Sequence, residues 1–210
     1  MRGISCLVFA AVLAMPSAAQ AQYGPGSHSG TSTEWTISGR GALDDLNTFG
    51  ACFATKQTKD ALRLVGTEAG SADEARVYKA LFSKEQFCLG NLSGLSAPWK
   101  YVRGAVGEEF YHERVPVPAG FAASHDLAPE KVQSFMDAAV CYAARHSADA
   151  QQLIDQTKPG TKEEAVAIDA LWSNFTACLP PNMPSGFKIE NVVLRYRIAE
   201  ALWRLGVVRP

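Results

Sequence analysis

Apolar residues recur at helical spacing along most of the chain beyond residue 40. Leu43, Leu46, Phe49 and Phe53 fall at i, i+3, i+6 and i+10, on one face of a helix. Val132, Phe135, Ala139 and Tyr142 make a similar stripe further on. Thr58 and Ser147 follow these stripes, and each can cap a short second helix running through Leu64 or Leu153. Ser71-x-x-Glu74 and Thr161-x-x-Glu164 have the form of capping boxes, each opening a helix that ends near a cysteine. Pro98, and Ser185 in the later stretch, mark the start of a last helix carrying Arg103 or Arg195. The pattern predicts an all-α fold of two tandem helical units with about four helices each, and negligible strand.

The two units are copies. With Cys52 set on Cys141, ACFATKQTKDALRLV matches VCYAARHSADAQQLI. One inserted residue then aligns GSADEARVYKALFSKEQFCL with GTKEEAVAIDALWSNFTACL, placing Glu74 on Glu164 and Cys88 on Cys178. Two more align VRGAVGEEFY with LRYRIAEALW, placing Arg103 on Arg195 and Glu108 on Glu200. So many ordered matches imply an internal duplication. Repeat 1 spans 41–113 and repeat 2 spans 126–210. Residues 114–125 form a linker in which Pro116 and Pro118 block helix. A unit that folds on its own closes its own staple, so the expected disulfides are Cys52–Cys88 and Cys141–Cys178.

The start of the chain belongs to a different class. Arg2 precedes an apolar run from Ile4 to Met15, Pro16 ends it, and Ala19-Gln20-Ala21 is a cleavage site before Gln22. Residues 1–21 therefore read as a secretory signal peptide. The run is too short to cross ~30 Å of hydrocarbon, so no membrane span is expected after cleavage. Residues 22–40 form a flexible leader, with Trp35-Thr36-Ile37 as a hook onto the body. Loss of Arg2 leaves 19 basic and 21 acidic residues, a formal charge of −2. That balance gives no electrostatic reason for a nucleic-acid partner. An alanine-rich signal ending in AQA points to bacterial export, to the periplasm or outside, where paired cysteines persist.

Candidate chemistry is sparse. Arg103, Glu108, Arg195 and Glu200 are the matched charged residues that no local motif explains. Five positions separate arginine from glutamate in each copy, ~140° around a helix, so they do not face each other. One reading is structural and reciprocal, Arg103 with Glu200 and Arg195 with Glu108. The other is a ligand site in which the arginines clamp a carboxylate or phosphate. Glu74 and Glu164 are explained by their capping boxes, and Asp60 and Asp149 by helix first turns. His112 and His125 flank the linker in a pattern too loose for a metal site, with Asp126 read as the cap of the next helix. There is no HExxH, C-x-x-C, G-x-S-x-G, P-loop or dinucleotide fingerprint, so neither a metal nor a cofactor is expected. The matched aromatics Phe53/Tyr142, Phe82/Trp172 and Tyr111/Trp203 read as core. The seam between repeats is the place for an apolar groove.

The ordered motifs CFA…GS-x-x-EA…CL…VRGAVGE and CYA…GT-x-x-EA…CL…LRYRIAE resemble those of exported alphaproteobacterial proteins. In these a Cys…Cys…LRGALAE-like helical unit is often duplicated. The resemblance covers nearly all of the chain after the signal. It implies compartment and helical class, and no activity. Copy two departs from it, with Tyr196 and Arg197 where copy one has Gly104 and Ala105. The expectation is an exported, non-catalytic helical-repeat protein that binds a partner protein or a small ligand. The alternatives are a structural envelope or stress component and a carboxylate-dependent envelope hydrolase.

Overall fold

The computed structural model describes residues 40–69, 71–82, 88, 98–180, 183 and 187–207. The signal peptide, nearly all of the leader with its Trp35 hook, and Ser185 lie outside the described residues. Among the described residues the chain is all-helical, with eight α-helices and no strand. They are α1 (Arg40–Lys56), α2 (Thr58–Val65), α3 (Ala72–Phe82), α4 (Trp99–His112), α5 (Phe135–Arg145), α6 (Ser147–Gln156), α7 (Lys162–Thr176) and α8 (Asn191–Arg204). None of them is long and apolar enough to cross a membrane.

The expected stripe of α1 is buried throughout: Leu43, Leu46, Phe49 and Phe53 all lie in the core. Phe49 and Phe53 stack with their centroids 5.7 Å apart. In α5, Ala139 and Tyr142 are buried, while Val132 is buried ahead of the helix and not within it. Helix α8 is buried along eleven consecutive positions, Val193 to Trp203. A helix enclosed on every side is a central one. It packs against α4, and also against α5, α6 and α7, while α4 packs against α1, α2 and α3. One apolar core therefore runs through both sets of four helices.

Both expected disulfides are present, Cys52–Cys88 and Cys141–Cys178. Each joins the first helix of its set to a turn beyond the third, since Cys178 follows the end of α7 at Thr176.

Three start signals resolve differently from the expectation. Thr58 and Ser147 are the first residues of α2 and α6, not their caps. Helix α1 runs almost unbroken into α2, because Gln57 still donates its N–H to Phe53 O and accepts from Asp60 and Ala61. With no free helix end to cap, the Thr58 hydroxyl turns back to Ala54 O at 2.8 Å. Asp126 does not cap α5, which begins nine residues later behind Ser134, in a capping box with Asp137. The last helix of the second set begins at Asn191 behind Glu190, six residues beyond Ser185.

The linker is pinned to the end of α8. Trp203 Nε1 donates to Val115 O at 2.8 Å, and Ala123 N donates to Arg204 O at 2.9 Å. Helices α4 and α8 end in the same way, Val115 N bonding Phe110 O and Val207 N bonding Leu202 O. This is the Schellman arrangement, whose C′ residue must be left-handed. Gly206 (φ 65°) occupies that position after α8, and Arg114 (φ 53°) occupies it after α4. An arginine there carries a steric cost that glycine does not. Arg114→Gly is therefore expected to raise stability by about 1 kcal/mol in urea denaturation. A lowered midpoint would show that the arginine side chain's own contacts outweigh the backbone relief.

Candidate functional site

The strongest concentration of buried charge lies where α4 meets α8. Arg103 and Arg195 point away from each other along the seam, each toward the C-terminal end of the short second helix of its own set. Both are essentially inaccessible to solvent, at 0% and 1% exposure. A guanidinium can be buried only if its donors are satisfied. Here all five N–H groups of each are used.

Arg103 donates Nε and Nη2 to the two oxygens of Glu200, at 2.9 and 2.7 Å. Nη2 also reaches Val65 O at 2.7 Å, and Nη1 reaches Thr67 O and Glu74 Oε1, both at 3.0 Å. Arg195 holds Glu108 the same way, through Nε at 3.0 Å and Nη2 at 2.8 Å. Its remaining donors go to Leu153 O, Ile154 O, Thr157 O and Thr157 Oγ1. The reciprocal pairing, Arg103 with Glu200 and Arg195 with Glu108, is thus the geometry of the seam. Each arginine also closes the exposed carbonyls at the end of α2 or α6, where the helix dipole favours a cation. In this arrangement neither guanidinium presents a face to a carboxylate or phosphate from outside.

The carboxylates respond to these neighbours. Burial alone would raise Glu200, but Arg103, with Arg204 and Arg197 close by, holds it far below the usual glutamate range. Glu108 is likewise buried, and Arg195 and His112 bring it below its ordinary value of 4.5. A carboxylate whose pKa is depressed by folding stabilises the fold fully above its unfolded pKa, and loses that contribution as the pH falls toward its folded value. The contribution of the seam pairs is therefore expected to persist down to about pH 4.5 and to decline only below it. Denaturant midpoints measured across that range check this; Glu200→Gln should lower the midpoint above pH 4.5 and flatten the acid decline below it.

Between the charged pairs the backbones come close. A methyl group on Gly104 would overlap Tyr196 Cβ and its ring, and one on Gly107 would lie 3.0 Å from Glu200 Cβ. Gly104 and Tyr196 are matched positions in the expected alignment, and the tyrosine fills the space that the glycine leaves. The tyrosine hydroxyl then reaches Asn47 Oδ1 at 2.7 Å. The apolar groove expected between the repeats is not what this seam forms; it is filled by Tyr196 and by ion pairs.

Other expected residues fall as follows. Glu74 and Glu164 do open α3 and α7, donating their backbone N–H to Ser71 Oγ and Thr161 Oγ1. Their carboxylates are also part of the seam. Glu74 binds Arg103, and Glu164 Oε1 lies 4.0 Å from Arg195 Nε. The histidines beside the linker are not simply solvated. His112 Nε2 lies 3.4 Å from Glu108 Oε1, and His125 Nε2 lies 2.9 Å from Leu205 O. Among the described residues no cluster of three or more His, Cys, Asp or Glu side chains has the geometry to hold a metal.

The sequence reading missed four participants. Thr67 and Thr157 each bond the arginine of their own set, and they become equivalent once the one-residue insertion is placed before them. Extending the Glu74–Glu164 alignment backward would have found them. Arg197 and Arg204 both reach Glu200, at 3.1 and 2.8 Å, and stand where the first copy has Ala105 and His112. Attention to matched positions hides residues of this kind, which lack a counterpart. No protein-family model, curated protein or solved structure matches this chain.

Proposed function

We propose that the chain is an exported, duplicated helical protein that acts without catalysis, binding a partner protein or small ligand on its outer surface in the periplasm. The observation that supports this reading is the inward use of the charge that the two copies share. The residues best suited to clamp an anion or move a proton at a substrate are struts between α4 and α8. The two disulfides suit an oxidising compartment. The same inward geometry supports a second reading, a purely mechanical component of the envelope.

Native mass spectrometry of the protein purified with its own leader tests the proposal. Cleavage before Gln22, loss of four hydrogens to two disulfides and extra retained mass are the expected result. A chain that keeps its leader in the cytosol would overturn the export reading. A bare monomer that captures nothing would favour the mechanical one.

A further inference from the structure

The two halves of the seam are built alike but are not charged alike. Around Arg103 gather two carboxylates, Glu74 and Glu200, and two further guanidiniums, Arg197 and Arg204. Around Arg195 gather two carboxylates, Glu108 and Glu164, and, among the described residues, no second guanidinium. Glu108 takes the Nε and Nη2 edge of Arg195, and the other donors go to α6 carbonyls and Thr157. Glu74 Oε1 receives an N–H from Arg103 at 3.0 Å. Glu164 Oε1 receives none: it is buried, has no hydrogen-bond partner and lies 4.0 Å from the nearest arginine nitrogen. Its other oxygen accepts from Gly160 N at 2.8 Å.

The surroundings of Glu164 offer little else. From α4 it faces Glu108, which is itself engaged with Arg195 and His112. From α8 come Arg195 and Tyr196, the latter's hydroxyl bonded to Asn47. Helix α6, which packs on α7, carries Asp155, which accepts from Tyr111, and is followed by Thr157, bonded to Arg195. Helix α5, which packs on α7, carries Asp137, held in its own cap, and Tyr142, whose charged neighbour is Asp149. Lys162 and Glu163 on α7 itself point to solvent. A buried carboxylate oxygen with no donor is costly, and a proton removes that cost by removing the charge.

We propose that Glu164 is a proton-binding site, a buried carboxylic acid whose unpartnered oxygen in the second half of the seam takes up a proton. Burial, with the charge of Glu108, raises its pKa above the ordinary 4.5 despite Gly160 N–H and Arg195. The linkage then has the opposite sign to that of the paired carboxylates. The folded state binds this proton more tightly than the unfolded chain, so stability rises as the pH falls through the folded pKa, and levels off below the unfolded one.

Urea denaturation of the full oxidised protein, from neutral pH to about pH 5, tests this against Glu164→Gln and His112→Gln. The wild type is expected to gain stability on acidification. Glu164→Gln, which mimics the neutral acid, should lose the gain and match or exceed the wild type at neutral pH. His112→Gln should keep the gain. A slope undiminished in Glu164→Gln, or abolished by His112→Gln alone, would overturn the proposal, since Glu109, also raised by burial, can supply only part of it. Carboxyl carbon NMR of the wild type decides independently if the glutamine variant fails to fold. A Glu164 resonance titrating above 4.5 supports the site, and one titrating at or below it removes it.

Discussion

Arg103→Met is expected to lower the folding stability by about 3–5 kcal/mol, because it removes one partner of a buried ion pair and leaves the others in place. Glu74 loses its contact with the Arg103 guanidinium, and Glu200 keeps Arg197 and Arg204. The carbonyls of Leu64 and Thr67 lose a donor as well. Against a typical total of 5–15 kcal/mol, such a loss is a large fraction of what holds a domain folded. Lysine should not rescue the site, since a compact ammonium cannot reach two carboxylates and three carbonyls in one plane. Arg103→Met combined with Glu74→Gln should recover part of the loss, because the α3 carboxylate that faced Arg103 is then neutral while Glu200 keeps Arg197 and Arg204. Urea denaturation of the wild type, the two single variants and the double variant gives the coupling directly. An unchanged midpoint in Arg103→Met would mean that the arginine is not a strut.

Loss of the disulfides is expected to rank next. Each closes a loop of 36 or 37 residues. The chain-entropy account of cross-linking assigns about 4 kcal/mol to a loop of that length. The cross-links sit in different helix sets, so their effects should add. Reduction of both, or Cys141→Ala/Cys178→Ala together with Cys52→Ala/Cys88→Ala, should therefore cost about 8 kcal/mol and bring the chain close to its unfolding threshold. Thermal melts with and without reductant measure this. A melting temperature that reduction leaves unmoved would show that the helical core suffices alone.

The all-helical class and the disulfides were legible because their signals are local or repeated. Leu43 to Phe53 sit at helical spacing in the sequence, and the fold needs nothing distant to bury them. The cysteine pairing followed from matching one copy to the other. Helix starts were less legible. Thr58 looks like a cap only if α1 stops before it, and whether α1 stops is decided by backbone bonds through Gln57. The seam was half legible. Recurrence singled out Arg103, Glu108, Arg195 and Glu200, and their angular separation on the helix excluded pairing within one copy. Arg197 and Arg204 stayed hidden because they have no equivalents, and an unmatched arginine in a helix usually lies on a solvated face. Arg197 is buried, and Arg204 half-buried, because α8 is enclosed along Val193 to Trp203, which is a property of the assembled fold.

The contact between Gly104 and Tyr196 has a consequence for self-recognition. Two first halves brought together through α4 would set glycine against glycine and leave a void the size of an aromatic ring. Two second halves would drive one tyrosine ring into another. Only a first half with a second half fills the space, with the reciprocal charge pairs in register on either side. Helices α4 and α8 therefore carry a lock and a key of unlike shape, which selects the partner within the same chain over an identical surface on a neighbouring molecule.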